Sequence, residues 1–214
     1  MRALRGGLLL AAWLLALPAP GLGAEERVLV ALGDSLTAGA GVAAEEAWPA
    51  LLAGRLAREG YPYRVVNAGV SGDTTAGGLR RVEWVLRARP EIVIVALGAN
   101  DGLRGQSVTA MRANLAAIVD RLRAGGARVL LAGVPLPLNY GAEYTRSFAA
   151  VFPEVATRAG VPFLPSLLDG VAADPRLNQV DGLHPNAEGH RVIAGRVWPF
   201  LVPLLRRLSP RGSA

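Results

Sequence analysis

Five short apolar runs rich in β-branched residues recur along the chain, at 27–32, 63–67, 92–97, 128–133 and 161–164. Between them, the stretches 48–59, 75–88, 109–124 and 143–159 repeat apolar residues at helical spacing, and a further such stretch, 187–208, closes the chain. Strands separated by helices call for right-handed crossovers, so the pattern predicts an α/β fold with a mainly parallel sheet. The third run, from Glu91 to Leu97, is almost continuously apolar, as a strand buried on both faces must be. There is no internal repeat, low-complexity linker or sign of a second domain.

The first 24 residues stand apart from that alternation. Arg2 and Arg5 precede an uninterrupted apolar stretch from Leu8 to Leu17, which Pro18 and Pro20 break, and small residues follow at Gly21, Gly23 and Ala24. A basic head, a short apolar body and a small-residue exit describe a secretory signal peptide cleaved near Gly23 or Ala24. The apolar body is well short of the roughly 20 residues that a membrane-spanning helix needs. The expected organisation is therefore a signal peptide, 1–24, and one domain, 25–214, with the mature protein periplasmic or secreted. An uncleaved or lipid-linked form is the alternative, although the absence of cysteine excludes attachment through a cysteine.

Composition narrows the chemistry. Hydrophobic residues make up 51% of the chain, which suits a folded core. Zero cysteines exclude disulfides, thiolate metal ligands and a cysteine nucleophile, so export rests on the signal peptide alone. The net charge of +6 and pI near 10.8 raise the question of nucleic acid. All 23 basic residues are arginine, however, scattered singly or in pairs such as Arg80-Arg81 and Arg206-Arg207. No basic run interleaves with aromatics as nucleic-acid binding favours. Solvated helix faces explain the arginines, and no nucleic-acid partner is expected. Weak attraction to anionic lipid surfaces stays open.

Turn residues punctuate the strand ends, which in a parallel sheet share one edge. Gly33-Asp34-Ser35-Leu36 follows the first strand, Asn67 to Asp73 the second, and Gly98-Ala99-Asn100-Asp101 the third, while Pro135 to Tyr140 comes after the fourth. Far downstream, Asp181-Gly182-Leu183-His184 sets a carboxylate three residues before one of only two histidines. A serine hydroxyl is a poor nucleophile unless an oriented base takes its proton. Asp181 can hold one ring nitrogen of His184 while the other faces Ser35. Gly72 and Asn100 are candidate donors to a developing oxyanion.

Each motif alone has a plainer reading. Gly-Asp-Ser is commonly a strand exit whose side chains cap a helix, and Asp181 and His184 fit a surface turn before Pro185. Gly72 and Asn100 fit ordinary turn positions. His190 lacks a carboxylate at the same spacing and reads as solvated or structural. A dimetal phosphoesterase, hinted at by Gly72-Asp73 and Gly98 to Asp101, would need more histidine ligands than His184 and His190 provide. No metal or cofactor is expected.

Taken together and in this order, the four segments resemble the SGNH (GDSL) hydrolase family, in its branch of bacterial periplasmic thioesterases, arylesterases and lysophospholipases. The likeness runs from about Val28 to Trp198 and includes Ala47-Trp48-Pro49, Ser71-Gly72-Asp73-Thr74, Asn100 to Gly105 and Leu136 to Gly141. The resemblance implies a flavodoxin-like three-layer αβα sandwich with a five-stranded parallel sheet. It also implies Ser35 as nucleophile, His184 as general base, Asp181 as its orienting carboxylate, and an oxyanion hole built from the Ser35 N–H, Gly72 and Asn100. Ala99 departs from the second glycine often found before the asparagine. Asp34 and Asp101 read as turn supports. The implied activity is hydrolysis of carboxylic esters and thioesters by a monomer acting on small acyl substrates. The apolar loops 102–108 and 135–140 would flank the site, with Leu138 and Tyr140 as substrate contacts. A carbohydrate esterase, or a non-catalytic lipid- or glycan-binding module on the same fold, is the alternative.

Overall fold

The computed structural model describes residues 27–206, so the expected signal peptide and its cleavage point lie outside the described residues. Five strands form one parallel sheet: β1 (Arg27–Gly33), β2 (Tyr63–Gly69), β3 (Ile92–Ala96), β4 (Arg128–Ala132) and β5 (Phe163–Leu164). Their spatial order is β2-β1-β3-β4-β5. The order reverses direction between β1 and β3, which opens a crevice beyond the carboxyl ends of the strands. The helices are α1 (Ser35–Ala38), α2 (Trp48–Arg58), α3 (Thr75–Arg87), α4 (Ala99–Leu103), α5 (Val108–Ala124), α6 (Ala142–Ala159) and α7 (Ala187–Leu201). Helices α2 and α7 pack together on one face of the sheet, while α3, α5 and α6 make a contiguous row on the other. The expected three-layer α/β sandwich is what forms.

Local chemistry explains most boundaries. Asp34, Thr74, Ser107 and Asn186 each cap the helix that follows with a side-chain oxygen, satisfying a backbone N–H that has no partner within the helix. Every residue of β3 is buried, which is why that run lacks polar alternation. Phe148 and Phe152 of α6, the helix that packs on β4 and β5, meet edge to face with ring centroids 5.5 Å apart. Each fully buried aliphatic side chain stabilises the fold by about 1.5–3 kcal/mol. The wall of such residues in β1, β3 and β4 therefore supplies most of the rigidity beneath the loops.

Departures from the pattern-based expectation have specific causes. The last helix stops at Leu201 rather than at 208, and a 3₁₀ turn over Val202–Leu204 follows. Val202 keeps helical dihedrals, but Pro203 has no N–H with which to extend the i→i−4 ladder. The fifth strand shrinks to Phe163–Leu164 because Pro162 has no N–H to give to the ladder. Two short helices at the site edge, α1 and α4, and the 3₁₀ turn Leu138–Tyr140 were invisible to hydrophobic periodicity, because one turn of helix shows no period.

His190 resolves the choice between solvated and structural. Its side chain is 1% exposed, and its Nδ1 accepts the Trp48 N–H at 3.3 Å, joining α7 to the start of α2. Trp48, itself fully buried, donates its indole N–H to the Leu36 carbonyl at 3.1 Å, so this pillar reaches α1. Burial depresses the His190 pKa to about 4. An unfolded chain takes this proton near pH 6.5 and the folded one only near 4. The stabilisation is therefore whole above 6.5 and drains away as pH falls towards 4. His190→Gln, which keeps an acceptor, should show a smaller loss of thermal midpoint between pH 7 and pH 4.5 than the parent chain. An equal loss in both proteins, measured by circular dichroism, would contradict this account.

Candidate active site

The crevice at the carboxyl edge brings together residues that are far apart in the chain. β1 ends at Gly33, Asp34 caps α1, and Ser35 is the first residue of that helix. The Ser35 N–H consequently has no partner inside the helix. A loop held as a narrow hairpin carries His184: Asn178 bridges to Pro185, and the Gln179 N–H donates to the His184 carbonyl at 2.8 Å. Gly182 takes a φ of +69° at its bend, a conformation that glycine adopts without strain.

Ser35 Oγ lies 3.0 Å from His184 Nε2, and His184 Nδ1 lies 2.6 Å from Asp181 Oδ2. The other Asp181 oxygen accepts the backbone N–H groups of Leu183 and His184 at 2.9 and 3.0 Å. Those backbone bonds, with the ring bond from His184, hold the Asp181 pKa down at about 2. The carboxylate is therefore ionised at any ordinary pH. An ionised carboxylate on one ring nitrogen and a hydroxyl on the other is an arrangement in which the imidazole can take the hydroxyl proton.

The two candidate oxyanion donors are differently placed. Asn100 lies in α4, and its amide Nδ2 reaches towards the Asp73 carbonyl at 2.9 Å and Asp34 Oδ2 at 3.4 Å while the residue lines the crevice. Gly72 sits in the adjoining turn with φ +77° and does not line the cavity itself. Its carbonyl accepts from Arg104 at 3.0 Å, and the next residue, Asp73, is the one that holds Asn100. Asp101 supports both turns as expected. Its carboxylate accepts the Thr75 N–H at 2.8 Å and hydroxyl at 2.6 Å, tying α4 to the start of α3.

Beside Ser35 lies a cavity of about 430 Å³ lined mainly by apolar side chains, with Leu103, Val134, Leu136 and Leu168 among them. The loops 102–108 and 135–140 do contribute Leu103 and the Pro135–Pro137 segment. Tyr140 stands behind the cavity rather than among its lining residues. Its hydroxyl donates to the Leu103 carbonyl at 2.9 Å, fastening one wall. The Leu138 side chain lies outside the described residues. Leu168, Ala172 and Ala173 complete the opposite wall. Sequence reading missed them, because small apolar residues in an irregular loop carry no periodic or motif signal.

Fold and crevice together give a three-layer α/β protein with a serine–histidine–aspartate relay at the carboxyl edge of its sheet. The model of the GDSL-like Lipase/Acylhydrolase family matches residues 31–192. Esterase TesA of Pseudomonas aeruginosa is 44% identical over 183 residues, covering 85% of this chain and 91% of that protein. Thioesterase 1/protease 1/lysophospholipase L1 of Escherichia coli K12 is 40% identical over 187 residues, covering 87% and 88%. A crystal structure of TesA superposes with a TM-score of 0.81, covering 84% of this chain and all of the other at 44% identity. The chain belongs to the GDSL-like lipase/acylhydrolase family, and it is an esterase of the GDSL type.

Asp34 is fully buried, and desolvation raises its pKa to about 6 against the lowering effect of the Leu36 N–H. The folded protein thus keeps a proton that the unfolded chain has already lost. Stabilisation from this group is complete below the ordinary value of 3.8 and disappears as pH rises through about 6. Asp34→Asn, which retains an oxygen for the Leu36 N–H, should gain stability relative to the parent as pH is raised from 4 to 7. Urea midpoints at the two pH values decide this; a pH-independent difference between the proteins would refute it.

Proposed function

We propose that the chain hydrolyses carboxylic esters and thioesters through an acyl-enzyme on Ser35. The observation that carries this reading is the continuous relay from Ser35 Oγ through the His184 ring to Asp181. Asp181 holds the Nδ1 proton, which leaves the Nε2 lone pair for the serine proton. Ser35 Oγ attacks the acyl carbonyl as His184 takes that proton. His184 then returns it to the departing alcohol or thiol, and the acyl group stays on Ser35. Water enters next, gives its proton to His184 and attacks the acyl carbon; the proton passes back to Ser35 as the carboxylic acid leaves. The Ser35 N–H, the Gly72 N–H and the Asn100 amide serve as donors to the oxyanion in both tetrahedral states.

The apolar cavity supports an acyl chain or aromatic ring as the part of the substrate that is bound. The names of the relatives, an esterase and a thioesterase/lysophospholipase, agree with a small acyl ester or thioester. Residues 1–24 read as an export signal, so we place the working enzyme in the periplasm or outside the cell, as a monomer.

Ser35→Ala should lose about 10⁴-fold or more in kcat while keeping its circular dichroism spectrum, because the trio acts as a unit. Near-normal turnover in that variant would remove Ser35 from its role. Asn100→Ala should lose about 10²–10³-fold in kcat. Across p-nitrophenyl esters of growing acyl length, kcat/KM should climb by roughly four-fold per added methylene, corresponding to about 0.8 kcal/mol each, until the cavity is full. Rates indifferent to chain length would argue against an acyl-binding cavity.

A further inference from the structure

Arg81 of α3 takes no part in the chemistry above and does not line the cavity, yet its guanidinium makes four hydrogen bonds directly beneath the site. Nε and Nη2 donate to Asp73 Oδ2 at 2.9 and 2.6 Å, Nη1 donates to the Ala68 carbonyl at 2.9 Å, and Nη2 reaches the Gly33 carbonyl at 3.3 Å. These acceptors belong to three separate pieces of chain. Gly33 ends β1 and leads through Asp34 to Ser35. Ala68 lies at the end of β2. Asp73 follows Gly72, and its own carbonyl receives the Asn100 amide at 2.9 Å.

We propose that Arg81 is a positioning residue that sets the spacing between the Ser35 N–H, the Gly72 N–H and the Asn100 amide. The proposal rests on the reading of those groups as oxyanion donors given above. A planar guanidinium offers five N–H groups in a fixed fork, so its contacts are geometrically coupled in a way that an ammonium cannot copy. Shifting the Asp73 turn would displace Gly72 along the backbone and Asn100 through the Asp73 carbonyl together. The approach of α3 is itself built for this contact: a Cβ at Gly77 would collide with Asp73 Oδ1. Arg81 and Asp73 are 22% and 11% exposed, so solvent screens the pair only weakly. The acceptors on Gly33 and Ala68 are backbone atoms, which points to alignment of the turns rather than to a plain surface ion pair.

The test uses the mature chain as Arg81→Lys, Arg81→Met and the double variant Arg81→Met/Asp73→Asn, the last so that no half-buried carboxylate is left unpaired. Each is compared with the parent for thermal midpoint, for kcat and KM on one short-chain p-nitrophenyl ester, and for inhibition by an alkylboronic acid, whose serine adduct is tetrahedral. Folded variants should lose about 10–10²-fold in kcat, the size expected when reacting groups are misplaced by an ångström or less, with KM nearly unchanged. Boronic acid affinity should fall by the same factor as kcat/KM, because both report the tetrahedral state. Combining Arg81→Lys with Asn100→Ala should cost less than the product of the two single losses.

Folded variants with parental kcat, a loss confined to KM, or losses that multiply fully with Asn100→Ala would each overturn the proposal. Failure of all three variants to fold would make Arg81 a structural staple and overturn it equally. The underlying reading has its own check. A parent chain whose Ser35 does not react with a fluorophosphonate would sink the nucleophile assignment, whatever the Arg81 variants do.

Discussion

The contact between Ser35 Oγ and His184 Nε2 joins residues 149 positions apart, and no local interaction could hold two such distant side chains at hydrogen-bonding distance. It exists because the sheet is parallel. Every strand then delivers its carboxyl end to one edge, and the reversal of strand order between β1 and β3 keeps that edge open. Ser35 is placed by the end of β1, Asn100 by the end of β3, and His184 by the loop that runs into α7. The depth of the core under β1, β3 and β4 makes those three positions stiff relative to one another. A shift of even an ångström there would be costly to chemistry that depends on aligned reacting groups.

Around that contact the polar groups divide into those that water could reach and those that it cannot. Asp181 is partly exposed and stays ionised, because three hydrogen-bond donors converge on it. Asp34, one residue before Ser35, is fully enclosed and resists ionisation. His190 is enclosed too and resists protonation. The two buried groups lean in opposite directions on the pH scale, and both favour the neutral form for the same reason, the cost of removing charge from water. Neither is idle structurally. Asp34 caps the helix that starts with Ser35, and His190 braces the tryptophan that props the same helix from below.

Much of the fold was legible because its signals are periodic. The alternation of β-branched runs with helical spacing located all five strands and five of the seven helices of the described residues, with ends off by one or two positions except where Pro162 and Pro203 intervened. What escaped was short or aperiodic. Helices α1 and α4 are single turns, and Leu168, Ala172 and Ala173 sit in irregular backbone. Tyr140 shows the limit from the other side. An aromatic residue in an apolar loop beside the crevice reads as a substrate contact, and composition could not foresee that its hydroxyl donates to a backbone carbonyl.

Residue types and their order were enough to determine the layered α/β architecture, the family, which serine and asparagine stood just past strand ends, and which histidine and carboxylate shared the turn before the last helix. Those properties follow from local spacing and from turn chemistry, which are written along the chain. Only the tertiary structure decided that Asp34 and His190 are shut off from water, that Arg81 grips the Gly33, Ala68 and Asp73 segments at once, and which loops wall the cavity. These depend on how far elements distant in sequence approach one another and on how much solvent that packing expels. Neither quantity is a property of any local stretch of residues.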